Sequence, residues 1–292
     1  MTARAVVVIL AGMLAVLAPA APGLAADALL MDAATLQAQL SASDLRIIDM
    51  SDEAADYRRG HIPGALHLDI EKTRVAMPGR AYRVLTPDEG ARLLGGLGVT
   101  ADSRVVIYDD AESLNAAWLF YVLETLGHRR VAILDGGIAA WRRAGFALAT
   151  EIPKPGAVAY RPDPKPERVA TAEWIRGHLE DRAVALVDAR SAAEYSGAKR
   201  YAKRGGHIPG AANIEWQQHL RADGTFKPVE ELRALYTRAG ITPDKTVVTY
   251  CQSHHRGAHA YFVLRLLGYP RVAGYDRSWA EWGSRDDLPV AR

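Results

Sequence analysis

The sequence is poor in cysteine: among 292 residues only Cys251 carries a thiol. A single cysteine excludes an internal disulfide framework, so no covalent bridge braces the fold. An excess of charge of one sign is missing too. The 36 lysines and arginines face 34 aspartates and glutamates, for a formal net charge of +2. That thin, balanced scatter gives no electrostatic case for nucleic acid or an acidic surface as partner. Long apolar runs are absent beyond the N-terminus, where no later segment approaches the ~20 apolar residues of a membrane span. What remains is ordinary globular composition, 49% hydrophobic and 24% charged, on a length that suits two domains and a leader.

The leader is the exception to this pattern. Arg4 precedes an apolar run from Ala5 to Ala18, and small residues then lead to Gly23-Leu24-Ala25-Ala26 before Asp27. A charged start, a short apolar core and a small-residue cleavage site predict a secretory signal peptide over residues 1–26, cut after Ala25 or Ala26. The expectation is an exported protein, periplasmic or secreted, with no stable membrane association after cleavage. In an oxidising compartment a lone thiol is a liability unless it is buried and inert or put to chemical use.

The mature sequence reads twice. Leu45-Arg46-Ile47-Ile48-Asp49 and His61-Ile62-Pro63-Gly64-Ala65 return as Ala185-Leu186-Val187-Asp188 and His207-Ile208-Pro209-Gly210-Ala211. Val105 to Tyr108 matches Val247 to Tyr250, and Leu134-Asp135-Gly136-Gly137 up to Trp141 matches Tyr275-Asp276-Arg277-Ser278 up to Trp282. So long a period argues for duplicated domains, not a short-repeat solenoid. Between the copies, Ile152 to Pro166 is dense in proline, which neither continues a helix nor sits in a central strand. The predicted units are therefore 27–150 and 168–292, joined by a semi-rigid linker at 151–167. Within each, short Val-rich runs alternate with helical patterns such as Gly257 to Leu267, stopped by Gly268. This predicts α/β domains, each with a mostly parallel sheet flanked by helices on both faces.

In such sheets ligands bind beyond the carboxyl ends of the strands, which is where Cys251 falls. Its loop continues Gln252-Ser253-His254-His255-Arg256 into a helix. Loop N–H groups and a helix N-terminus favour an anion and lower a thiol's pKa, and Arg256 adds a permanent cation. His254 or His255 supplies a further charge, or both are solvated loop residues; Arg256 binds substrate or pairs with a surface acid. Cys251, His254 and His259 do not make a tetrahedral metal set, so no metal is expected. In the first copy the position of Cys251 is held by Asp109.

These motifs resemble the tandem-domain rhodaneses, which are thiosulfate sulfurtransferases. Tyr57-Arg58-Arg59-Gly60-His61-Ile62-Pro63-Gly64-Ala65 matches the family's first-domain signature, and Tyr275 to Trp282 is similar to its C-terminal one. The loop from Cys251 to Arg256 is like that of a bacterial subgroup with paired histidines. The resemblance implies two rhodanese-like domains, the first non-catalytic. It implies Cys251 as nucleophile, Gln252, Ser253, His254, His255 and Arg256 as substrate-binding residues, and Asp188 and Arg190 as supporting ones. It also implies ping-pong transfer from a small anionic sulfur donor to a thiophilic acceptor such as cyanide, without a cofactor, in a chain for which a monomer suffices.

The sequence departs from the family at three places. Arg277 stands where glycine is usual, Glu194 stands where some relatives carry a substrate-binding arginine, and Ser196 to Arg204 is an extra basic stretch. Glu194 is expected to pair with Arg190 four residues back. The basic stretch is expected to be a solvated loop or a source of charge at the cleft rim. Alternatives are a 3-mercaptopyruvate sulfurtransferase and a persulfide carrier serving a protein partner. A cysteine phosphatase is disfavoured because four residues, not five, separate Cys251 from Arg256.

Overall fold

The computed structural model describes residues 29–292; the predicted leader lies outside the described residues. Strands β1 (Leu30–Met31), β2 (Leu45–Asp49), β3 (Ala65–His67), β6 (Arg104–Tyr108) and β7 (Val131–Leu134) form one sheet in the order β1-β7-β6-β2-β3. A second sheet contains β8 (Val184–Asp188), β9 (Ala212–Asn213), β10 (Thr246–Tyr250) and β11 (Val272–Gly274), ordered β11-β10-β8-β9. Every pairing within these two sheets is parallel. In the second sheet the place of β1 is taken by a single parallel bridge from Val169 to Gly274. The remaining strands, β4 (Arg74–Met77) and β5 (Ala81–Val84), form an antiparallel hairpin.

The strands are apolar on both sides because both faces are covered. Alternate residues separate cleanly: Ile47, Val106 and Leu134 pack with Leu36 and Trp141 on one face of the first sheet. Ile48, Val105, Ile107 and Ile133 pack with the Leu114–Thr125 helix on the other. That helix is apolar all round and buried along nearly its whole length. A helix of this kind needs cover on every side, and here the second cover is the matching His255–Leu266 helix of the other unit. Phe120 meets Phe262 edge to face at 4.9 Å, and Tyr121 meets Tyr261 at 5.0 Å. Glu124 accepts from the Tyr261 hydroxyl at 2.5 Å and pairs with Arg265 at 2.9 Å. One continuous core therefore crosses the domain boundary.

The repeated signatures do the same structural job in each unit. His61 stacks on Tyr57 at 4.0 Å and His207 on Tyr195 at 3.6 Å. Each tyrosine hydroxyl donates to the alanine carbonyl that ends its motif, Ala65 or Ala211. The linker segment runs without regular structure along the first unit, tied by the Val158 N–H to Gly95 and the Asp163 N–H to Leu126.

The units also clasp one another. The β4–β5 hairpin of the first reaches over the second, where the Val84 N–H donates to Asp276 Oδ2 at 3.0 Å. The segment bridged at Leu220 and Phe226 in the second reaches over the first, where the Phe226 N–H donates to Asp135 Oδ1 at 2.9 Å. Asp135 and Asp276 are matching positions of the repeat, so the exchange is reciprocal.

Candidate active site at the domain boundary

Cys251 follows the last residue of β10, a central strand, and is 1% exposed. Its backbone is held by the first turn of the Ser278–Trp282 helix. The Cys251 N–H donates to Ser278 Oγ at 3.2 Å, and the carbonyls of Cys251 and Gln252 accept from Trp279 and Ala280, both at 2.9 Å. Among the described residues, the N–H groups of Gln252 to Arg256 donate to no protein acceptor. Of these residues only His254 is fully buried, and the first N–H groups of a helix have no intrahelical acceptor, so this run of free donors at the start of the His255–Leu266 helix suits an anion.

Strain collects here as well. Arg80, Glu112, Ser113, His254 and Ser278 are the non-glycine residues with positive φ among the described residues, and each lies in or against one of the two matching loops or their cleft. Left-handed backbone is costly for such residues and clusters at functional sites.

The first unit shows the same loop occupied from within. The Asp109 carboxylate accepts from the N–H groups of Ala111 at 3.0 Å, Ser113 at 2.9 Å and Ala116 at 2.9 Å. Burial pushes this carboxyl up to about 6, against the pull of those donors. Asp109 thus stands at the position of Cys251 and occupies the N–H groups of its own loop, which makes that loop unsuited to an external anion.

Arg256 does not face a surface acid. Its guanidinium makes a two-pronged pair with buried Glu194, at 2.7 Å and 2.9 Å. Burial pushes the Glu194 carboxyl up, but the Arg256 pair outweighs it and holds the group down to about 2. Burial opposes the charge on Arg256, and the pair with Glu194 and the proximity of Cys251 raise its pKa nonetheless. The cation is therefore held in place on the cleft wall. Glu194 does not pair with Arg190, contrary to the helical spacing. Arg190 turns inward to chelate Asp188, at 2.6 Å and 2.9 Å, and lies over the Trp279 ring at 4.5 Å. Both members of that pair are buried, and they brace the floor without touching the cleft.

The paired histidines also require correction. His254 is fully buried, at the boundary between the units, against Tyr121 at 4.7 Å and Trp118 at 6.2 Å. It is seated so tightly on Gly257 and Gly274 that a Cβ at either glycine would strike its ring. Burial lowers its pKa to about 3. His255, facing Arg74, is lowered to about 4 by burial first and that cation second. Neither side chain is a cation at neutral pH, and His254 is a packing residue whose N–H alone belongs to the run of free donors. Gln252 and Ser253 do line the cleft, with Arg256.

Arg277 adopts ordinary right-handed backbone where its counterpart Gly136 is left-handed, Ser278 keeps the positive φ of its counterpart Gly137, and the Arg277 side chain pairs with Glu281 at 3.3 Å. The basic stretch divides. Arg204 donates to the carbonyls of Trp282 and Leu288, and Lys203 pairs with Asp286, so these two tie down the C-terminal segment. Lys199 reaches the cleft. Sequence reasoning missed Ser278 and the Glu194–Arg256 pair. One local signal existed, the Ser191-x-x-Glu194 capping box, which the structure forms.

The cleft beside Cys251 has a volume of about 450 Å³ and takes Arg80 and Tyr82 from the first unit's hairpin. A more apolar hollow of about 480 Å³ lies by Trp174 and Val272, at the opposite, amino end of β10 and β11, away from Cys251. Among the described residues, no group of three or more His, Cys, Asp or Glu side chains is arranged to hold a metal, and no helix is long and apolar enough to cross a membrane.

Two parallel α/β units, one with a cysteine at the start of a loop of free N–H groups and one with the matching loop filled by aspartate, define a duplicated protein with one candidate nucleophile. The model of the rhodanese-like domain matches residues 32–144 and again 171–285, and the chain belongs to the rhodanese family. It is 37% identical over 262 residues to the thiosulfate sulfurtransferase of Azotobacter vinelandii, covering 90% of this chain and 96% of that protein. It is 39% identical over 271 residues to the sulfur carrier protein TtuD of Thermus thermophilus, covering 88% and 94%. Among solved structures, the anaerobic ergothioneine biosynthesis enzyme of Chlorobium limicola in complex with trimethyl histidine is similar with a TM-score of 0.81 at 28% identity. That likeness covers 89% of this chain and 69% of the other.

Proposed function

We propose that the protein is a sulfurtransferase that takes the outer sulfur of thiosulfate onto Cys251 and passes it to a small thiophilic acceptor. The observation that carries this is the placement of Cys251 at the start of a run of unpaired N–H groups, with Arg256 of the same loop held by Glu194. The Cys251 thiolate attacks the outer sulfur of thiosulfate. The S–S bond of thiosulfate breaks, and sulfite leaves with the bonding pair. The terminal sulfur of the resulting Cys251 persulfide is an anion, which the loop amides and Arg256 stabilise. Cyanide then attacks that sulfur, the bond to Cys251 Sγ breaks, and thiocyanate leaves with the thiolate restored. The near-complete burial of Cys251 favours small reagents and keeps bulk water from the persulfide. The cation held in that loop favours a dianionic donor over a keto acid.

Incubation with thiosulfate should add one sulfur atom to the mass of the protein, and Cys251→Ser should abolish both that gain and thiocyanate formation. Equal turnover by the variant would remove Cys251 from the mechanism. A large rate preference for 3-mercaptopyruvate would reassign the donor.

A further inference from the structure

The first unit contributes more to the cleft than a wall. Its β4–β5 hairpin is anchored on the second unit by the bond from the Val84 N–H to Asp276. The turn Pro78-Gly79-Arg80 then passes close to the Ser278–Trp282 helix, with Gly79 against the Ala280 carbonyl. Arg80 ends that turn at φ 64°, a conformation that an arginine adopts at a cost, and lies along the same cleft as Gln252 and Arg256.

On this cleft and on the elements next to it, most cations are already matched. Arg256 pairs with Glu194, Arg83 with Glu89, Arg74 with Glu71 and Arg277 with Glu281. Arg80 and Lys199 pair with no carboxylate among the described residues. Lys199 is instead held over the Tyr201 ring at 5.0 Å. Glu194, the one carboxylate on the cleft wall, is committed to Arg256. Two uncompensated positive charges thus flank the nucleophile's cleft, one delivered by each unit.

We propose that Arg80 and Lys199 form an anion clamp across the domain boundary, which holds the sulfonate end of the donor while its outer sulfur faces Cys251. The clamp rests on the sulfurtransferase function proposed above. It gives the first unit a direct part in substrate binding although its own loop is closed by Asp109. It also separates two tasks. Arg256, held by Glu194, attends the reacting sulfur, and the rim pair sets affinity for the oxyanion. No bond is made or broken at the clamp. Arg80 and Lys199 are positioning residues that act on the ground state and the transition state alike, so their loss falls on KM and not on kcat.

The test is steady-state kinetics of the full chain with thiosulfate as donor and cyanide as acceptor, on Arg80→Asn, Arg80→Lys, Lys199→Gln and the Arg80→Asn/Lys199→Gln double variant. Asparagine tolerates the left-handed backbone, so the hairpin turn keeps its shape. Each neutral variant should raise KM for thiosulfate roughly two- to fivefold, the range of an ionic contact at an exposed site. kcat should stay within about twofold of the wild type, and the inhibition constant of the product sulfite should rise in step. Arg80→Lys should recover most of the affinity. The wild-type KM should climb with ionic strength, and that dependence should flatten in the double variant. An unchanged KM and an unchanged salt dependence in the double variant would overturn the clamp, provided the wild type still gains sulfur from thiosulfate. Failure of the wild type itself to gain sulfur would instead overturn the function on which the clamp rests.

Discussion

At the scale of residues, the loop around Cys251 depends on charges that are settled before any substrate arrives. Glu194 is 4% exposed on its side chain and Arg256 23%, so the pair is largely sheltered from solvent. Removing one partner of such a pair leaves a buried charge without compensation, which costs about 3 kcal/mol, whereas replacing both costs far less. Arg256→Gln should therefore lower the free energy of unfolding in urea by about that amount, and Glu194→Gln/Arg256→Gln should recover most of it. Additive losses in the double variant would show that the two groups do not act as a pair. Activity should fall in both variants, since each loses the cation on the cleft wall. The position of Cys251 at the end of a strand and of its loop at the start of a helix was legible in the sequence, because these residues follow one another along the chain. Glu194 was not, because its partner lies 62 residues away and helical spacing offered Arg190 as a nearer one. Arg190 was unavailable because Asp188, two residues before it, is fully buried and needs a cation of its own.

At the scale of elements, two long helices and two reciprocal arms bury titratable groups at the boundary. Burial lowers the pKa of His254 and of His259 to about 3 and that of His255 to about 4, and it also lowers His219. These histidines are neutral in the folded chain and charge first in the unfolded one, whose histidines titrate near 6.5. Their contribution to stability is therefore lost as pH falls below about 6.5. Asp109 and Asp276, each raised to about 6 chiefly by burial, act in the opposite sense, since the folded state takes up their protons first. Burial also lowers His128 and raises Asp135, so five histidines stand against three aspartates and the slope keeps the histidines' direction. The melting temperature should fall between pH 6.5 and 4, and less steeply in His254→Asn. Melting curves of the wild type and the variant that stay parallel across that range would place His254 in contact with solvent. The helix over Gly257 to Leu267 and its glycine stop were legible from apolar spacing, and the structure extends the helix over His255–Leu266. The burial of His254 was not legible, because a polar residue in a predicted loop gives no sign that a second domain covers it.

At the scale of the whole molecule, the duplication was read correctly from the repeated motifs, but the depth of the contact between copies was not. The sequence suggests two domains on a proline-rich tether. The structure joins them through one apolar core, in which Phe120, Tyr121, Tyr261 and Phe262 belong to both. Two bodies that share a core cannot lose one without exposing the other's apolar face. Calorimetry should therefore show a single transition whose calorimetric and van't Hoff enthalpies agree. Two resolved transitions would mean that the shared core contributes little to either unit.

The exchange of arms has a further consequence. Asp135 receives a backbone N–H from the second unit's arm and Asp276 receives one from the first. A contact in which each side offers the other the same surface is isologous, the geometry by which two identical chains close a two-fold dimer. The linker is thus not what specifies the arrangement of the halves. A chain carrying one such unit could close the same contact with a second copy of itself. Fusion of the two copies would then allow what symmetry forbids: a cysteine on one side of the axis and an aspartate on the other.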